Sequence, residues 1–284
     1  MARAGAEVFH AGRVGNDGQW VVDLMKSHGV KTNLIVIDPK QPTGRAIIQV
    51  SSATSDNAII LNAGANHCIS LMDINTILNS FQSGDWIVLQ NEINVDAGTY
   101  VLAEGRRRGF ITVFNPAPCP SDLLATWPLT VSTPDILILN ETEAESLLSQ
   151  ITPIRDTANS SPALALLESL PNLRILIVTA GAEGAYVAVN STSAGSSVAK
   201  VPALKGVKVV DTTGAGDTFV GYFVASLAKR LTELGVTELR KLDISEVEKA
   251  ASLASAAAGL CCEKEGAMPS VPNWDDVIGR CGHV

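Results

Sequence analysis

Four short segments of this chain are apolar at nearly every position, and each one ends in a polar residue. Helical patterns separate them, for example over residues 95–108 and 141–151. A strand without alternating polar residues is buried on both faces, and helices between such strands supply the crossovers that parallel pairing requires. The sequence therefore predicts an α/β fold with a mostly parallel central sheet covered by helices. The four segments are Trp86–Gln90, Ile111–Asn115, Ile136–Asn140 and Ile175–Thr179.

A different pattern occupies residues 31–66, where three strand-like runs follow one another with only turn residues between them. They are Leu34–Ile37, Arg45–Val50 and Asn57–Leu61. This spacing predicts a meander of antiparallel strands that forms a lid, an interface or an extension of the main sheet. The predicted division of the chain is 1–30 as the start of the α/β domain, 31–66 as the β-meander lid and 67–284 as the main α/β domain.

The last third of the chain predicts a hairpin and two long helices. The hairpin would pair Tyr186–Val189 with Val207–Val210, and a Ser- and Gly-rich surface loop would cover residues 190–197. The helices are predicted over residues 216–229 and 245–262.

Charge and composition exclude several partner classes. The net charge of -8 argues against a nucleic-acid or anionic-membrane surface, although backbone amides can still hold a small anion. No apolar run is long enough to span a membrane, and the first residues lack the apolar core of a signal peptide. The five cysteines form no CxxC pair, as is typical of reduced thiols. These features predict a cytoplasmic protein that could also be present in the nucleus.

The stretch VDTTGAGDTF, residues 210–219, is the strongest candidate for chemistry. Gly214, Ala215 and Gly216 open a predicted helix, whose first amides have no partner within the helix and can hold an anion. Asp217 lies in the first turn, where a carboxylate stabilises the helix dipole. Beside an anion site, the same carboxylate can accept a proton from a hydroxyl group that attacks phosphorus.

The motif DTxGAGD, followed by an aromatic residue and an apolar helix, resembles the C-terminal signature of the ribokinase (PfkB) family of sugar kinases. The resemblance covers essentially the whole chain and implies a ribokinase-like three-layer αβα fold with a small β-sheet lid. Further segments agree in order and spacing: GRVGNDG (12–18), TGRAIIQV (43–50), NAGAN (62–66), QNEI (90–93), FNPAP (114–118), NETEAE (140–145), TAGAEGAY (179–186) and EGAMPSVP (265–272).

This resemblance implies ATP-dependent phosphorylation of a sugar hydroxyl, with D-ribose converted to D-ribose 5-phosphate as the closest match. Asp217 would be the general base and a sugar contact, Glu92 would reach the sugar, and residues 214–216 would form the anion hole. Two alternatives stay open. One is a nucleotide-binding relative with weak or no sugar kinase activity, and the other is a related kinase for fructose, a nucleoside or a ketodeoxy acid.

The resemblance also implies sites for ATP, Mg²⁺ and an activating K⁺ ion, and a homodimer formed through the lid. Glu143 would hold Mg²⁺ through water, although Asn140 and Glu143 alone are also typical of a helix cap. The implied ATP contacts are Asn140, Thr179, Gly181, Ala182, Gly184, Gly216 and Ser255. The implied K⁺ ligands are Asp211, Thr213, Cys261, Lys264, Gly266 and Ser270.

Two departures from the family pattern bear on the sugar site. The chain begins, with ARAGAEV, after the N-x-D and glycine-rich segments by which the family contacts the sugar. The sequence therefore predicts that the sugar site lacks several hydrogen-bond partners and that the sheet lacks its first central strand. In addition, Arg45 stands in TGRAIIQV where the family usually has an apolar residue.

Overall fold

Strands and helices alternate along most of the chain. The computed structural model describes residues 1–50, 57–127, 133–151, 161–170, 172–191 and 195–281. The strands are β1 (Phe9–Gly15), β2 (Lys31–Asp38), β3 (Arg45–Val50), β4 (Asn57–Asn62), β5 (Trp86–Gln90), β6 (Ile111–Asn115), β7 (Ile136–Asn140), β8 (Ile175–Thr179), β9 (Ala185–Ser191) and β10 (Gly195–Val201). The helices are α1 (Gln19–Ser27), α2 (Leu71–Leu78), α3 (Val95–Arg107), α4 (Leu123–Thr126), α5 (Glu141–Ile151), α6 (Pro162–Ser169), α7 (Ala215–Leu234), α8 (Ile244–Cys261) and α9 (Trp274–Cys281).

The central sheet has six strands in the order β10-β9-β8-β7-β6-β5. Strands β5 to β8 run parallel, whereas β9 and β10 pair antiparallel at one edge. The four apolar segments of the sequence are β5 to β8, with the predicted bounds. The predicted α/β fold with a mostly parallel sheet is therefore confirmed.

Helices cover both faces of this sheet. Alternate residues of β7 divide between two cores: Ile136 and Ile138 pack with residues of α7 and α8, whereas Leu137 and Leu139 pack with residues of α5 and α6. The period of two residues in a strand sends neighbouring side chains to opposite faces, so a fully apolar strand supplies both cores. This arrangement confirms the three αβα layers. None of the helices in the described ranges combines the length and apolar character that a bilayer crossing needs.

The prediction for residues 31–66 is wrong for its first strand. Leu34–Ile37 lies in β2, which pairs in parallel with β1 instead of joining an antiparallel meander. Helix α1 precedes β2 and supplies the crossover that a parallel partner requires. Only β3 and β4 form an antiparallel pair, in a two-stranded sheet of their own. Residues 51–56 of the predicted lid lie outside the described residues.

In the hairpin predicted for the last third of the chain, the first strand has a different partner from the predicted one. β9 pairs antiparallel with β10, and not with Val207–Val210. β10 is an edge strand whose polar residues face outward, so its composition is similar to that of a surface loop. The 207–210 segment instead runs against the end of α8, where Val210 and Asp211 donate their amides to the Cys262 carbonyl, at 2.8 and 3.2 Å.

The pair β1–β2 is not hydrogen-bonded to the six-stranded sheet in the part of the chain that the structure describes. Within these residues, no strand pairs with the free edge of β5. The absence of a first central strand stays a prediction.

Arg13 on β1 ties β2 to helix α2. Its guanidinium donates to Asp38 Oδ2 at the end of β2 (2.9 Å) and to Asp73 Oδ2 in the first turn of α2 (2.8 Å). Asp73 also completes a capping box with Ser70, which begins the helix. The forked guanidinium can bridge two carboxylates in a way that a point charge cannot. Arg13 therefore joins the β1–β2 pair, which shares no sheet with the main body in the described residues, to helix α2, which packs against α3.

We expect Arg13→Met to lower the melting temperature by about 4 °C or more at pH 7, because it leaves two carboxylates without their cation. Arg13→Lys, which keeps the charge but can satisfy only one partner fully, should lie between the two. Thermal unfolding followed by circular dichroism measures both. An unchanged melting temperature in Arg13→Met would contradict this role.

The same pair of proteins should show a defined pH dependence. Bonds from the Lys40 amide and from Arg13 hold the pKa of Asp38 below its ordinary value. The Arg13 contribution is therefore present above the unfolded pKa of about 3.9 and is lost as the pH falls through the lower folded pKa. The difference between wild type and Arg13→Met should shrink below about pH 3.

Candidate active site

The polar residues that end the parallel strands lie along one edge of the sheet. Gln90 is in register with Asn115, and Asn140 is in register with Thr179. Asn115 also donates its side-chain amide to the Ile138 carbonyl of the next strand (2.9 Å). Ligands bind at this carboxyl edge in open α/β sheets. The structure thus brings together the strand-end residues that the sequence singled out.

Helix α7 begins in the GAG motif, with Gly214 as its N-cap. Gly214 has φ +77°, a left-handed conformation that glycine adopts without strain. The Ala215 amide donates to Thr212 O at 3.2 Å, and regular helical bonding starts with Thr218 N to Gly214 O (2.8 Å). Within the described residues, the amides of Gly216 and Asp217 have no acceptor, and the space where Gly216 would carry a Cβ is open. These two amides, more than that of Ala215, are available to an anion.

Glu92 and Asp217 interact electrostatically at this edge. Both side chains are exposed. Partial desolvation raises the pKa of Glu92 above its ordinary value, and the negative charge of Asp217 raises it further. Glu92 follows β5 and Asp217 begins α7, so residues far apart in the sequence face the same space. Two carboxylates with different surroundings can divide the tasks of hydrogen bonding and proton acceptance.

Asn140 and Glu143 form a reciprocal cap at the start of α5. The Asn140 amide donates to Glu143 Oε2, and the Glu143 amide donates to Asn140 Oδ1, both at 2.9 Å. Desolvation raises the pKa of Glu143, although the Asn140 amide opposes the shift. Burial and the charge of Glu143 raise the pKa of the neighbouring Cys119 thiol to about 11. The cap fixes the carboxylate at the sheet edge, and Oε1 has no hydrogen bond to the residues that the structure describes, so it is available to a water or a hydrated cation.

The end of β8 and the loop that leads to β9 carry four of the predicted ATP contacts. Thr179 donates its hydroxyl to Leu139 O (3.3 Å), and the loop closes through the Ala180 amide and Gly184 O (2.8 Å). Gly181 starts a short 3-10 turn with open space beside its Cα, and Ala182 in that turn is exposed. This loop therefore lies next to the Asn140 strand end with its backbone accessible.

Ser255, the last predicted ATP contact, is buried in α8. Its hydroxyl donates to Pro202 O at 3.2 Å. A nucleotide contact would require this hydroxyl to exchange its partner, so its role stays a prediction.

The predicted K⁺ ligands gather around the loop that precedes α7. Asp211 Oδ1 accepts the Thr213 amide and Oδ2 accepts the Gly266 amide, both at 2.9 Å. Bonds from the Thr213 side chain and from these amides lower the pKa of Asp211 below its ordinary value. The carboxylate therefore stays charged and joins two backbone segments that also carry carbonyl oxygens.

The remaining predicted ligands adjoin this loop. The Cys261 thiol lies 3.8 Å from Thr213 O and 3.0 Å from Ser270 Oγ, and Ser270 donates to Ala267 O at 2.6 Å. The Lys264 amide donates to Cys261 O at 3.2 Å. The oxygen-rich donor set, with one ionised carboxylate, suits a hard cation, so the residues fit the group that the resemblance implies.

Asn91 joins the end of β5 to Pro118 and Trp127, a role that the sequence did not assign to it. Its side-chain amide donates to Pro118 O at 2.7 Å, while its oxygen accepts the indole N–H of the fully buried Trp127 at 2.9 Å. Its position directly after β5, within QNEI, is the signal that could have marked it.

The αβα layers, together with the unpaired amides and the carboxylates at the start of α7, fit the phosphotransferase class of enzymes. The chain matches the pfkB family of carbohydrate kinases over residues 1–274. It belongs to this family.

Individual relatives agree with this assignment. The chain is 30% identical to the ribokinase of Staphylococcus aureus, across 97% of this chain and 83% of that protein. It is also 30% identical to a bifunctional ribokinase/ribose-5-phosphate isomerase A of Fructilactobacillus sanfranciscensis, where it covers 98% of its own length but only 47% of the relative. The chain thus spans about half of that bifunctional protein.

A solved structure supports the same fold. The ribokinase of Cryptococcus neoformans var. grubii in complex with ADP has a TM-score of 0.76 and 32% identity, with 98% of this chain and 84% of that chain covered.

Proposed function

We propose that this chain transfers the γ-phosphoryl group of ATP to a hydroxyl of D-ribose, producing D-ribose 5-phosphate and ADP. The observation that carries the proposal is the pair of amides without an acceptor in the described residues at the start of α7, with Asp217 in the same first turn. The charge of Asp217 also raises the pKa of Glu92, which supports a place for Glu92 on the same side of the site. The names of the relatives, ribokinases at about 30% identity, support ribose over other sugars.

In the proposed reaction, Asp217 accepts the proton of the ribose hydroxyl while the oxygen of that hydroxyl forms a bond to the γ-phosphorus. The bond between this phosphorus and the oxygen of ADP breaks, and the proton later leaves Asp217 for water. The amides of Gly216 and Asp217 stabilise the charge on the phosphoryl oxygens. Glu92 holds the sugar by a hydrogen bond and so fixes the angle of attack.

The nucleotide would lie along the ends of β7 and β8. The backbone of residues 181–184 would contact its phosphates and ribose, with Thr179 and Asn140 beside them. Glu143 would hold Mg²⁺ through water, and the ion would neutralise phosphate charge. The capping bonds to Asn140 keep the Glu143 carboxylate in place for this task.

A K⁺ ion held by the Asp211 loop would act through backbone geometry. Asp211 holds Thr213, which directly precedes the N-cap of α7, and Gly266, which follows α8. A cation between their carbonyl oxygens would fix the loop that aims the α7 amides. K⁺ thus would support the anion hole without touching the substrate.

We further propose that a second copy of this chain pairs with the β3–β4 hairpin. Ile47 and Ile60 are directly opposite each other in the hairpin, and each is 64% exposed. The neighbouring Leu61 is also exposed. Exposed apolar residues in contact on a two-stranded sheet support an interface, because such a sheet buries too little surface alone.

Asp217→Asn should lower kcat for ribose by about 100- to 10,000-fold, because the hydroxyl loses its proton acceptor. ATP binding measured by calorimetry should change little. Glu92→Gln, the matched control at the sugar side, should mainly raise the KM for ribose. If wild-type protein binds ATP but phosphorylates no ribose, the nucleotide-binding alternative gains support, and a panel of fructose, nucleosides and ketodeoxy acids tests the other one.

Asp211→Asn should remove activation by K⁺, because an amide cannot accept both backbone N–H groups and carries no charge for the cation. Initial rates with K⁺ replaced by a bulky organic cation measure this: wild type should slow several-fold, and the variant should be insensitive. Cys261→Ser keeps the carbonyl and should stay K⁺-dependent. A variant Asp211→Asn that responds to K⁺ as wild type does would refute the site.

Ile47→Ser should weaken self-association by about tenfold or more, because one exposed isoleucine leaves the interface of each copy. Sedimentation equilibrium of the full chain measures it. Met72→Ser, at an exposed apolar residue on α2 outside the hairpin, is the control and should leave association unchanged. Equal association constants for wild type and Ile47→Ser would argue against pairing through this hairpin.

A further inference from the structure

The loop between α8 and α9, residues 262–273, carries three of the predicted K⁺ ligands, and helix α7 holds this loop at two places. The first place is the start of the helix. A Cβ on Gly214, the N-cap, would lie 3.2 Å from the Cα of Ala267, so the loop backbone is packed against the turn that begins α7. Asp211, just before that turn, accepts the Gly266 amide at 2.9 Å. A shift of the loop would therefore disturb the start of α7.

The second place is Tyr222, about 12 Å further along the same helix from its N-cap. The Tyr222 hydroxyl donates to the Pro272 carbonyl at the far end of the loop (2.9 Å), and both residues are buried. Its ring is parallel to that of Trp274, the first residue of α9, with 6.4 Å between the ring centroids. Burial raises the pKa of Tyr222 above its ordinary value, so the hydroxyl remains a hydrogen-bond donor at any working pH.

The part of the loop between these two places is also held by hydrogen bonds. Ser270 is fully buried, and its hydroxyl donates to Ala267 O at 2.6 Å. Only Val271 lies between Ser270 and Pro272, and the guanidinium of Arg3 donates to the Val271 carbonyl. The position of Pro272 therefore restricts that of Ser270, a predicted K⁺ ligand. Because Arg3 holds the neighbouring carbonyl, loss of the Tyr222 bond should loosen the loop without releasing it.

We propose that Tyr222 is a positioning residue that holds the 262–273 loop in register with the start of α7 and thereby sets the affinity of the predicted cation site. The proposal rests on the proposed function, which places a K⁺ ion between this loop and the residue before the α7 N-cap. The hydroxyl acts through the backbone from Pro272 to Ser270. Without it, the loop spends less time in the arrangement that fits the cation, and the apparent affinity falls by that fraction.

Tyr222→Phe tests this role with little change in packing. The variant keeps the ring beside Trp274 but removes the donor to a buried carbonyl, which makes the present loop position less favourable. We expect the K⁺ concentration for half-maximal activity to rise about three- to tenfold, while kcat at saturating K⁺ and the KM for ATP stay within about twofold. Initial rates with KCl titrated against tetramethylammonium chloride at constant ionic strength measure these constants.

Two measurements report on the loop without catalysis. With tetramethylammonium as the only monovalent cation, the amides of residues 264–271 should exchange with deuterium faster in Tyr222→Phe than in wild type. Saturating K⁺ should reduce this difference. In addition, the rise in melting temperature that K⁺ produces should require a higher K⁺ concentration in the variant.

Tyr100→Phe is the matched control, because it makes the same chemical change outside the loop. Tyr100 lies on α3, and its hydroxyl donates to Asn75 Oδ1 on α2 at 3.1 Å. This variant should keep the wild-type K⁺ dependence and the wild-type exchange of residues 264–271. The comparison separates an effect on the loop from a general loss of stability.

Equal exchange of residues 264–271 in wild type and Tyr222→Phe would refute the positioning role. Faster exchange with an unchanged K⁺ dependence, or the same K⁺ shift in Tyr100→Phe, would also overturn it. A wild-type chain whose melting temperature does not respond to K⁺ would instead refute the cation site of the proposed function, and this inference with it. If the chain phosphorylates no ribose, exchange and melting still test Tyr222, so the two failures are distinguishable.

Discussion

Parallel hydrogen bonding among β5 to β8 is the constraint on which the candidate site depends. It brings the ends of four strands to one edge, where Asn115 bonds across to β7 and Thr179 bonds back to the same strand. Each strand is apolar at nearly every position, as suits a sheet with helices on both faces, so most polar groups of these strands lie at the strand ends. The same feature that builds the core therefore concentrates hydrogen-bonding groups in one place.

Helix starts at this edge have two uses. At the start of α5, the side chains of Asn140 and Glu143 accept each other's backbone amides. These two bonds alone account for both residues as a helix cap. At α7 the cap is incomplete, since the amides of Gly216 and Asp217 find no acceptor within the described residues. Exposed amides at a helix start can donate to an anion, and a charged acceptor makes these bonds stronger than bonds to a neutral one. The contrast between the two helices marks α7 as the place where a phosphoryl group would be held.

The amino-terminal part of the chain is joined to the rest by polar contacts more than by a shared sheet. Arg13 bridges β2 and α2, and Asp17 holds the segment before β3. Both contacts use charges near the carboxyl ends of β1 and β2. The base of the hairpin is held by the Asp17 contacts and by a backbone bond from the Ala65 amide to the Pro42 carbonyl (2.9 Å).

The sequence by itself determined the central strands, the helices between them and the motif at α7, because fully apolar runs, helical periods and glycine-rich turns are local signals. It could not determine the partner of a strand. Leu34–Ile37 was placed with the hairpin that follows it, but β2 pairs with β1 across helix α1; β9 pairs with the polar segment β10 and not with the apolar Val207–Val210. The partner of a strand is the segment whose backbone lies next to it once the core has formed, and a local sequence pattern does not contain that information. The interactions of Glu92 with Asp217 and of Asp17 with Arg45 likewise join residues far apart in the sequence, so only the tertiary structure revealed them.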